Sequence, residues 1–276
     1  MLNFENNNEQ LFSIVSNYKL YNILEKSLIK NKYFKKNYKK ILLSNIKNYD
    51  LVINLEFSNF ISKKFFSKKI VKRYNNIAYT GILRHKKIEN KVARQFFTKI
   101  GPLAFLPISE NETSIVYSIN HSNEFKKATL VNLINHYNSI YKIERITKIS
   151  SFELSSLNLR SYYYKNILAF GDLLHKIHPL AGQGFNMTIR DIKILLEIIK
   201  SKKNLGLPLN VSVNREFQRI TKHKNFIFSK AIDSIYEFFK FEGKLKSNTL
   251  VNSLKYLGHN QFINKIFKKI ADSGFA

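Results

Sequence analysis

The densest group of residues that could support ligand chemistry is the run GDLLHKIHPLAGQG at residues 171–184. The chain has only nine glycines and four prolines, yet this run holds Gly171, Pro179, Gly182 and Gly184. Glycine has no Cβ, so a ligand can come close to the backbone N–H groups. Asp172 can accept hydrogen bonds from sugar hydroxyls. The run therefore predicts a nucleotide-binding loop, and the layout alone leaves open an ordinary strand-to-helix turn with a capping glycine and a satisfied Asp172.

The flanking segments predict the elements that position this loop. Residues 166–170 (NILAF) form a compact apolar run typical of a buried strand. Residues 186–200 predict a helix, because Ile189, Ile192, Leu195, Leu196 and Ile199 fall on one face. Strand, loop and helix in this order are typical of a ligand crevice at the carboxyl end of a sheet, with the positive helix end favouring an anionic or electron-rich group. We expect the strand to end at Asp172 and the helix to begin within about two residues of Asn186.

The remaining pattern predicts a mixed α and β chain. The first 45 residues are polar and helix-forming. Apolar runs predict strands at residues 51–53, 77–83, 92–98, 103–108 and 114–119, the last two joined as a hairpin across residues 109–112. Residues 126–141 show helical spacing, and everything after Val211 predicts helices divided near residues 206–208, Gly243 and Gly258.

Composition sets limits on the class of protein. With 44% hydrophobic residues, 23 Phe and 15 Tyr among 276 residues, the chain can bury a packed core. The absence of cysteine excludes disulfides, thiolate metal sites and a cysteine nucleophile. The opening MLNFENNNEQ has no signal-peptide features, and no stretch is long and apolar enough to span a membrane. We expect a cytoplasmic protein.

The formal net charge of +27 has three candidate origins. Codon usage in an AT-rich genome is the favoured one, because lysine is spread along the chain together with many Asn and Ile. Contact with an anionic membrane, including a position peripheral to the inner membrane, stays open. Nucleic-acid binding is disfavoured, because the lysines do not form one stripe.

The loop residues also carry a resemblance to a known family. Gly171-Asp172, then 178–186 (HPLAGQGFN), then Arg190-Asp191 closely resemble the second flavin-binding motif of the FAD-dependent hydroxylases of ubiquinone biosynthesis, which are flavin monooxygenases with the para-hydroxybenzoate hydroxylase fold. Upstream, residues 94–98, 101–107 and 113–117 resemble the strands of the substrate domain in that family. Downstream, residues 214–238 resemble its helical tail. The likeness runs from about residue 10 to the C-terminus.

The resemblance implies a cofactor, a reaction and partners. FAD would be held by Gly171, Asp172, Pro179, Ala181, Gly182, Gln183, Gly184 and Asn186. Asp172 would hold the ribitol or diphosphate region, and the residues from Gly182 to Asn186 would line the isoalloxazine. The implied reaction is hydroxylation of the aromatic ring of a polyprenylated ubiquinone precursor; the cofactor makes the new bond, so no catalytic side chain and no metal ligand is predicted. Other ubiquinone-biosynthesis proteins are candidate partners, whereas nucleic acid is not.

Two departures from the family pattern shape the expected architecture. The family begins with a strand, a G-x-G-x-x-G turn and a helix, and this motif occurs nowhere in the sequence. We therefore expect an α+β or α/β fold of the para-hydroxybenzoate hydroxylase type lacking the first βαβ unit. Its parts would be a residual FAD-binding segment at 1–58, an antiparallel-sheet substrate domain at 59–149, and the rest of the FAD-binding domain with a helical tail at 150–276.

The second departure concerns Glu56 and Phe57, which stand where the family has Asp and Gly. Phe57 would strain the backbone or block a ligand if its position requires a positive φ or a close approach. A degenerate, non-catalytic relative that acts as a binding or accessory protein is therefore the alternative hypothesis.

Two other groups of residues are weaker candidates. His175 and His178 lie three residues apart, but the chain has no Cys and no acidic cluster near them, so an ordinary loop role, or a role in supporting the site residues, is favoured over a metal site. The basic run from Arg84 to Lys87 is favoured as a solvated strand end over a phosphate clamp.

Overall fold

A computed structural model describes residues 13–38, 43–98, 100–120, 127–179 and 182–245. The chain divides into two compact units. Within the described residues, the first unit comprises residues 43–74, 154–179 and 182–245, and the second comprises residues 13–38, 75–98, 100–120 and 127–153. Each unit is therefore built from segments that are discontinuous in sequence.

The elements confirm the predicted mixture of α and β structure. The α-helices are α1 (Asn17–Ile29), α2 (Leu43–Ile46), α3 (Phe60–Phe65), α4 (Lys127–Tyr137), α5 (Gln183–Asn204) and α6 (Val211–Leu245). The strands are β1 (Val52–Asn54), β2 (Lys69–His85), β3 (Arg94–Thr98), β4 (Gly101–Ser109), β5 (Glu112–Asn120), β6 (Ile143–Ile146), β7 (Ser150–Leu159), β8 (Tyr163–Tyr164), β9 (Ile167–Ala169) and β10 (His175–Lys176). No helix within the described residues is long and apolar enough to cross a membrane.

The second unit contains an antiparallel sheet. Strand β5 pairs with β2 and β4, β4 pairs with β3, and β6 pairs with the end of β2. The predicted hairpin is confirmed, because Ser109 pairs with Glu112. Inward-facing side chains of the sheet form one core with Leu130 and Ile134 of α4.

Gly101 is required by the close approach of two strands. Its φ is +144°, and an added Cβ would lie 1.8 Å from the backbone oxygen of Ser118. No side chain fits at that distance, so any substitution at Gly101 must displace β4 from β5.

The first unit contains a short sheet that carries the predicted loop. Strand β9 lies between β1, which is parallel to it, and β8, which is antiparallel. All three residues of β9 are buried, as expected for a central strand. Its core includes Leu168 of β9, Leu195 and Ile198 of α5, and Phe217 of α6.

Three predicted helix boundaries were wrong. Helix α5 begins at Gln183, three residues before Asn186, because the left-handed Gly182 ends the loop. Helix α4 ends at Tyr137 instead of residue 141, where Asn138 bonds to the backbone of Tyr141 and so competes with helical bonding. Helix α6 continues through Gly243, because a single glycine costs a helix only about 1 kcal/mol. Gly258 lies outside the described residues.

Candidate functional site

Asp172 lies at the surface, in the turn that follows strand β9. Residues 167–169 are buried, and the N–H group of Phe170 donates to the carbonyl of Asn54 at 2.9 Å. A single 3-10 turn, Gly171–Leu173, follows, with Gly171 at a φ of +62°. Gly171 and Leu173 are buried in this turn, whereas Asp172 is exposed, and within the described residues its carboxylate accepts no hydrogen bond. The predicted strand is confirmed, but its predicted end at Asp172 was wrong: β9 ends at Ala169, and Asp172 lies in the 3-10 turn that follows.

Helix α5 packs against the same turn. Gly182 is its N-cap residue, with a φ of +63°, and no side chain among the described residues caps the first turn. The N–H groups of that turn are therefore available to water or a ligand. A Cβ built on Gly182 would meet no atom within 4 Å, so this helix end faces open space.

The other predicted loop residues are distributed around this helix end. Pro179 is half-buried, and Leu180 and Ala181 lie outside the described residues. Gln183, Gly184 and Asn186 occupy the first turn of α5, where the Asn186 amide donates to Gln183 Oε1 at 3.3 Å. A Cβ on Gly184 would contact Ile177 at an ordinary 3.8 Å, so Gly184, unlike Gly101, is not required by packing.

A second loop, which follows β1, comes to the same edge of the sheet. Because β1 and β9 are parallel, their carboxyl ends lie side by side, and a Cβ on Gly171 would lie 3.4 Å from Leu55. The buried Asn54 organises this loop by donating to Ser62 at 2.8 Å and accepting from Asn59 at 2.7 Å. Sequence reasoning missed these polar residues, although the spacing of Asn59 and Ser62 matches an N-cap at the start of α3.

Glu56 and Phe57 lie in this second loop. The Glu56 carboxylate accepts hydrogen bonds from the hydroxyl and the N–H group of Ser58, which lower its pKa. Phe57 does not have a positive φ, so the backbone strain considered for this position is absent, and its side chain is 42% exposed. The Asp-to-Glu and Gly-to-Phe departures thus lie beside the predicted cofactor loop.

The histidine at the start of the loop is anchored to α5. His175 Nε2 donates to Oδ2 of Asp191 at 2.6 Å, and both side chains are buried. The amide of Asn225 donates to both oxygens of Asp191 at 3.1 and 3.2 Å. Asp191 therefore connects the loop, α5 and α6, which is a positioning role.

His178, three residues further on, is fully buried between two tyrosines. Its ring is stacked on Tyr236 at 4.4 Å and meets Tyr74 edge-on at 4.6 Å. Neither of its ring nitrogens has a hydrogen-bond partner among the described residues. Burial lowers the pKa of His178 to about 4, although Asp233 opposes the shift. His178 is therefore neutral at neutral pH, in keeping with the favoured loop role of both histidines.

The basic run at the end of β2 proved to be only partly solvated. Arg84 pairs with Glu112 at 3.1 Å and Lys87 with Glu110 at 2.7 Å. His85 is buried and bonded to Thr113 at 3.0 Å.

Comparison with solved structures gives the class of fold. The chain resembles PqsL of Pseudomonas aeruginosa, a probable FAD-dependent monooxygenase, with a TM-score of 0.53 and 16% identity. The match covers 70% of this chain and 56% of PqsL. The fold is that of the FAD-dependent monooxygenases.

Comparison of sequences gives the family. The sequence model of the squalene epoxidase family matches residues 51–265, and the chain belongs to that family. It is 29% identical over 154 residues to the 3-demethoxyubiquinol 3-hydroxylase of Escherichia coli, covering 52% of this chain and 39% of the relative. It is 24% identical over 178 residues to the ubiquinone hydroxylase UbiL of Rhodospirillum rubrum, and this match covers 60% of this chain and 41% of the relative. The resemblance to ubiquinone-biosynthesis hydroxylases is confirmed, and the chain spans about two fifths of the length of these relatives.

Proposed function

We propose that this protein is part of an FAD-dependent monooxygenase that hydroxylates the aromatic ring of a polyprenylated ubiquinone precursor. Membership of the squalene epoxidase family and similarity to two ubiquinone-pathway hydroxylases support the reaction class. The observation that carries the proposal is that the turn holding the exposed Asp172 packs against α5, while, among the described residues, none donates to the Asp172 carboxylate and no side chain caps the first turn of α5.

The residues at this edge fit a flavin nucleotide. Asp172 offers a carboxylate to ribityl or other hydroxyl groups, which donate hydrogen bonds. The N–H groups of the first turn of α5 and its positive dipole end suit an anionic or electron-rich ligand edge. A Cβ on Gly182 would meet no atom of the described residues within 4 Å, which leaves the backbone there accessible to a ligand.

Each residue then has a distinct task. Asp172 would orient the sugar-like part of FAD, Gly182 to Asn186 would line its ring, and Pro179 would shape the loop between them. Asp191, through His175 and Asn225, keeps the loop in register with α5. FAD, when bound, supplies the oxygen-transfer chemistry, so the protein contributes position and exclusion of water.

A non-catalytic relative is the second candidate, and Phe57 is the observation that favours it. Its exposed ring stands at the carboxyl end of β1, beside the loop that would hold the cofactor. The Phe57 ring at this position would reduce the space available to a bound flavin. The two candidates differ in whether FAD binds and is turned over.

The test is a flavin fluorescence titration of the wild-type chain and of Asp172→Ala. Loss of a charge-assisted hydrogen bond is worth about 1.5–3 kcal/mol, so we expect the Kd for FAD to rise about tenfold or more. Asp50→Ala is the matched control, because Asp50 is also exposed but lies at the opposite, amino end of β1. Equal affinities for wild type and Asp172→Ala would remove Asp172 from the site. Measurable FAD binding without any hydroxylated product, even with reductant and a prenylated phenol, would favour the non-catalytic candidate.

A further inference from the structure

Helix α1 and the segment that follows it, residues 17–38, form a surface of the second unit that is both basic and apolar. None of the residues in α1 is buried. We call residues 17–38 the α1 surface. The exposed apolar side chains of α1 stabilise the helix only if a membrane or a protein partner removes them from water.

The apolar side chains of the α1 surface are large and well exposed. Leu20, Leu24 and Leu28 recur every four residues and so lie along one helix face. Two tyrosines lie in α1, and two more lie in the segment that follows the helix. The exposed fractions are 74% for Tyr18, 57% for Tyr21, 53% for Leu24, 45% for Leu28, 83% for Tyr33 and 86% for Tyr38.

The charge of the α1 surface is almost entirely positive. It carries six lysines, at positions 19, 26, 30, 32, 35 and 36, and a single acidic residue, Glu25. Glu25 is already paired with Lys36, so it does not offset the other five lysines. The chain as a whole has 46 basic and 19 acidic side chains, so the basic excess is concentrated here beyond the average.

We propose that the α1 surface binds the face of an anionic lipid bilayer. Amphipathic helices with apolar and aromatic residues on one face and lysines on the other lie in the membrane interface. Tyrosine prefers the headgroup level, where its ring is half in hydrocarbon and its hydroxyl is hydrated. Anionic headgroups attract the lysines within a Debye length. Nucleic acid would meet the same charge but would leave the aliphatic face uncovered.

This proposal rests on the proposed function, because the proposed substrate, a polyprenylated phenol, partitions into bilayers. Binding of the protein to the surface of the membrane would bring it to that substrate. Because the binding needs neither FAD nor turnover, its failure and that of the proposed function are distinguishable.

The experiment is sedimentation of the full 276-residue chain with two kinds of vesicle. One is phosphatidylcholine alone, and the other is phosphatidylcholine with an equal amount of phosphatidylglycerol. We expect the protein to pellet with the anionic vesicles, to pellet poorly with phosphatidylcholine alone, and to be released as salt is raised. The triple variant Lys30→Glu, Lys32→Glu, Lys35→Glu should bind at least about tenfold more weakly.

A matched control separates the α1 surface from general positive charge. Lys86→Glu, Lys142→Glu, Lys148→Glu makes the same charge change at exposed positions of the same unit, and it should bind as the wild type does. A second variant, Tyr21→Ser, Leu24→Ser, Leu28→Ser, keeps every charge and should also lose binding, with circular dichroism verifying that the rest of the chain is folded.

Three outcomes would overturn the proposal. The first is no sedimentation with anionic vesicles. The second is an equal loss in the control lysine variant, which would mean that net charge alone drives binding. The third is that the α1 variants abolish self-association or binding to a DNA oligonucleotide while leaving vesicle binding unchanged.

Discussion

His175 Nε2 lies 2.6 Å from Oδ2 of Asp191, and each side chain is only 1% exposed. The two residues are sixteen positions apart and flank the loop that the sequence marks as the cofactor site. Their bond makes the position of the loop depend on α5.

Replacing Asp191 with Ala should destabilise the first unit. The His175 ring, whose Nδ1 has no partner among the described residues, would lose its one bond, and Asn225 would lose its acceptor. Leaving such groups buried without partners costs about 3 kcal/mol or more. Chemical denaturation measures this loss. Asp172→Ala is the control, since the exposed Asp172 carboxylate accepts no hydrogen bond from the residues that the structure describes. An equally stable Asp191→Ala would show that the contact contributes nothing.

Valine at Gly184 should weaken FAD binding while alanine should not. The Cβ of alanine makes an ordinary contact with Ile177. Under the proposed function, the two further methyl groups of valine would fill space at the first turn of α5 that the flavin ring edge needs. We expect Gly184→Val to raise the Kd for FAD more than Asp172→Ala does, because water cannot bridge a steric block. Flavin fluorescence titration tests this order, and similar affinities for Gly184→Ala and Gly184→Val would count against it.

The stability of the first unit should fall with decreasing pH in a way that depends on His178. Burial holds the folded-state pKa at about 4, below the ordinary value of about 6.5 for an unfolded histidine. The unfolded chain therefore binds a proton between these pH values when the folded chain does not, and stability is lost as pH falls through that window. The loss approaches about 3 kcal/mol at pH 4. The free energy of unfolding of His178→Phe, whose ring can occupy the same space between Tyr74 and Tyr236, should lack this part of the pH dependence. Parallel pH profiles for wild type and variant would refute the assignment.

The purified 276-residue chain should carry less than one FAD per protein. The sequence contains no G-x-G-x-x-G turn, and several charge-assisted bonds to the diphosphate, each worth about 1.5–3 kcal/mol, would be missing from its site. The ratio of flavin to protein absorbance after purification in excess FAD measures the loading. A yellow, fully loaded and active chain would show that Asp172 and the α5 N-terminus suffice.

Local sequence patterns were enough to predict the strand β9, the β4–β5 hairpin and the amphipathic helices α4 and α5. Apolar residues recur about every two residues in a strand and about every 3.6 residues in a helix when one face of the element is buried. This period is visible in the sequence whatever segment covers the buried face. Glycine and proline marked the loop for a similar reason, since positive φ at Gly171 and Gly182 is a local demand. The resemblance to the ubiquinone-biosynthesis hydroxylases likewise came from residue order alone.

Only the tertiary structure decided which distant residues meet. The pairing of β1 with β9 brings Leu55 to Gly171, more than a hundred residues away, and no periodicity encodes that register. The sequence showed Asp191 only as a residue of the flavin-binding motif, and the structure adds its bonds to His175 and Asn225. The sequence showed Gly101 only as part of a strand-like run, and the structure adds its close approach to Ser118. These contacts depend on packing between segments, where the free energy comes from excluded water and satisfied hydrogen bonds at positions that a linear pattern does not specify.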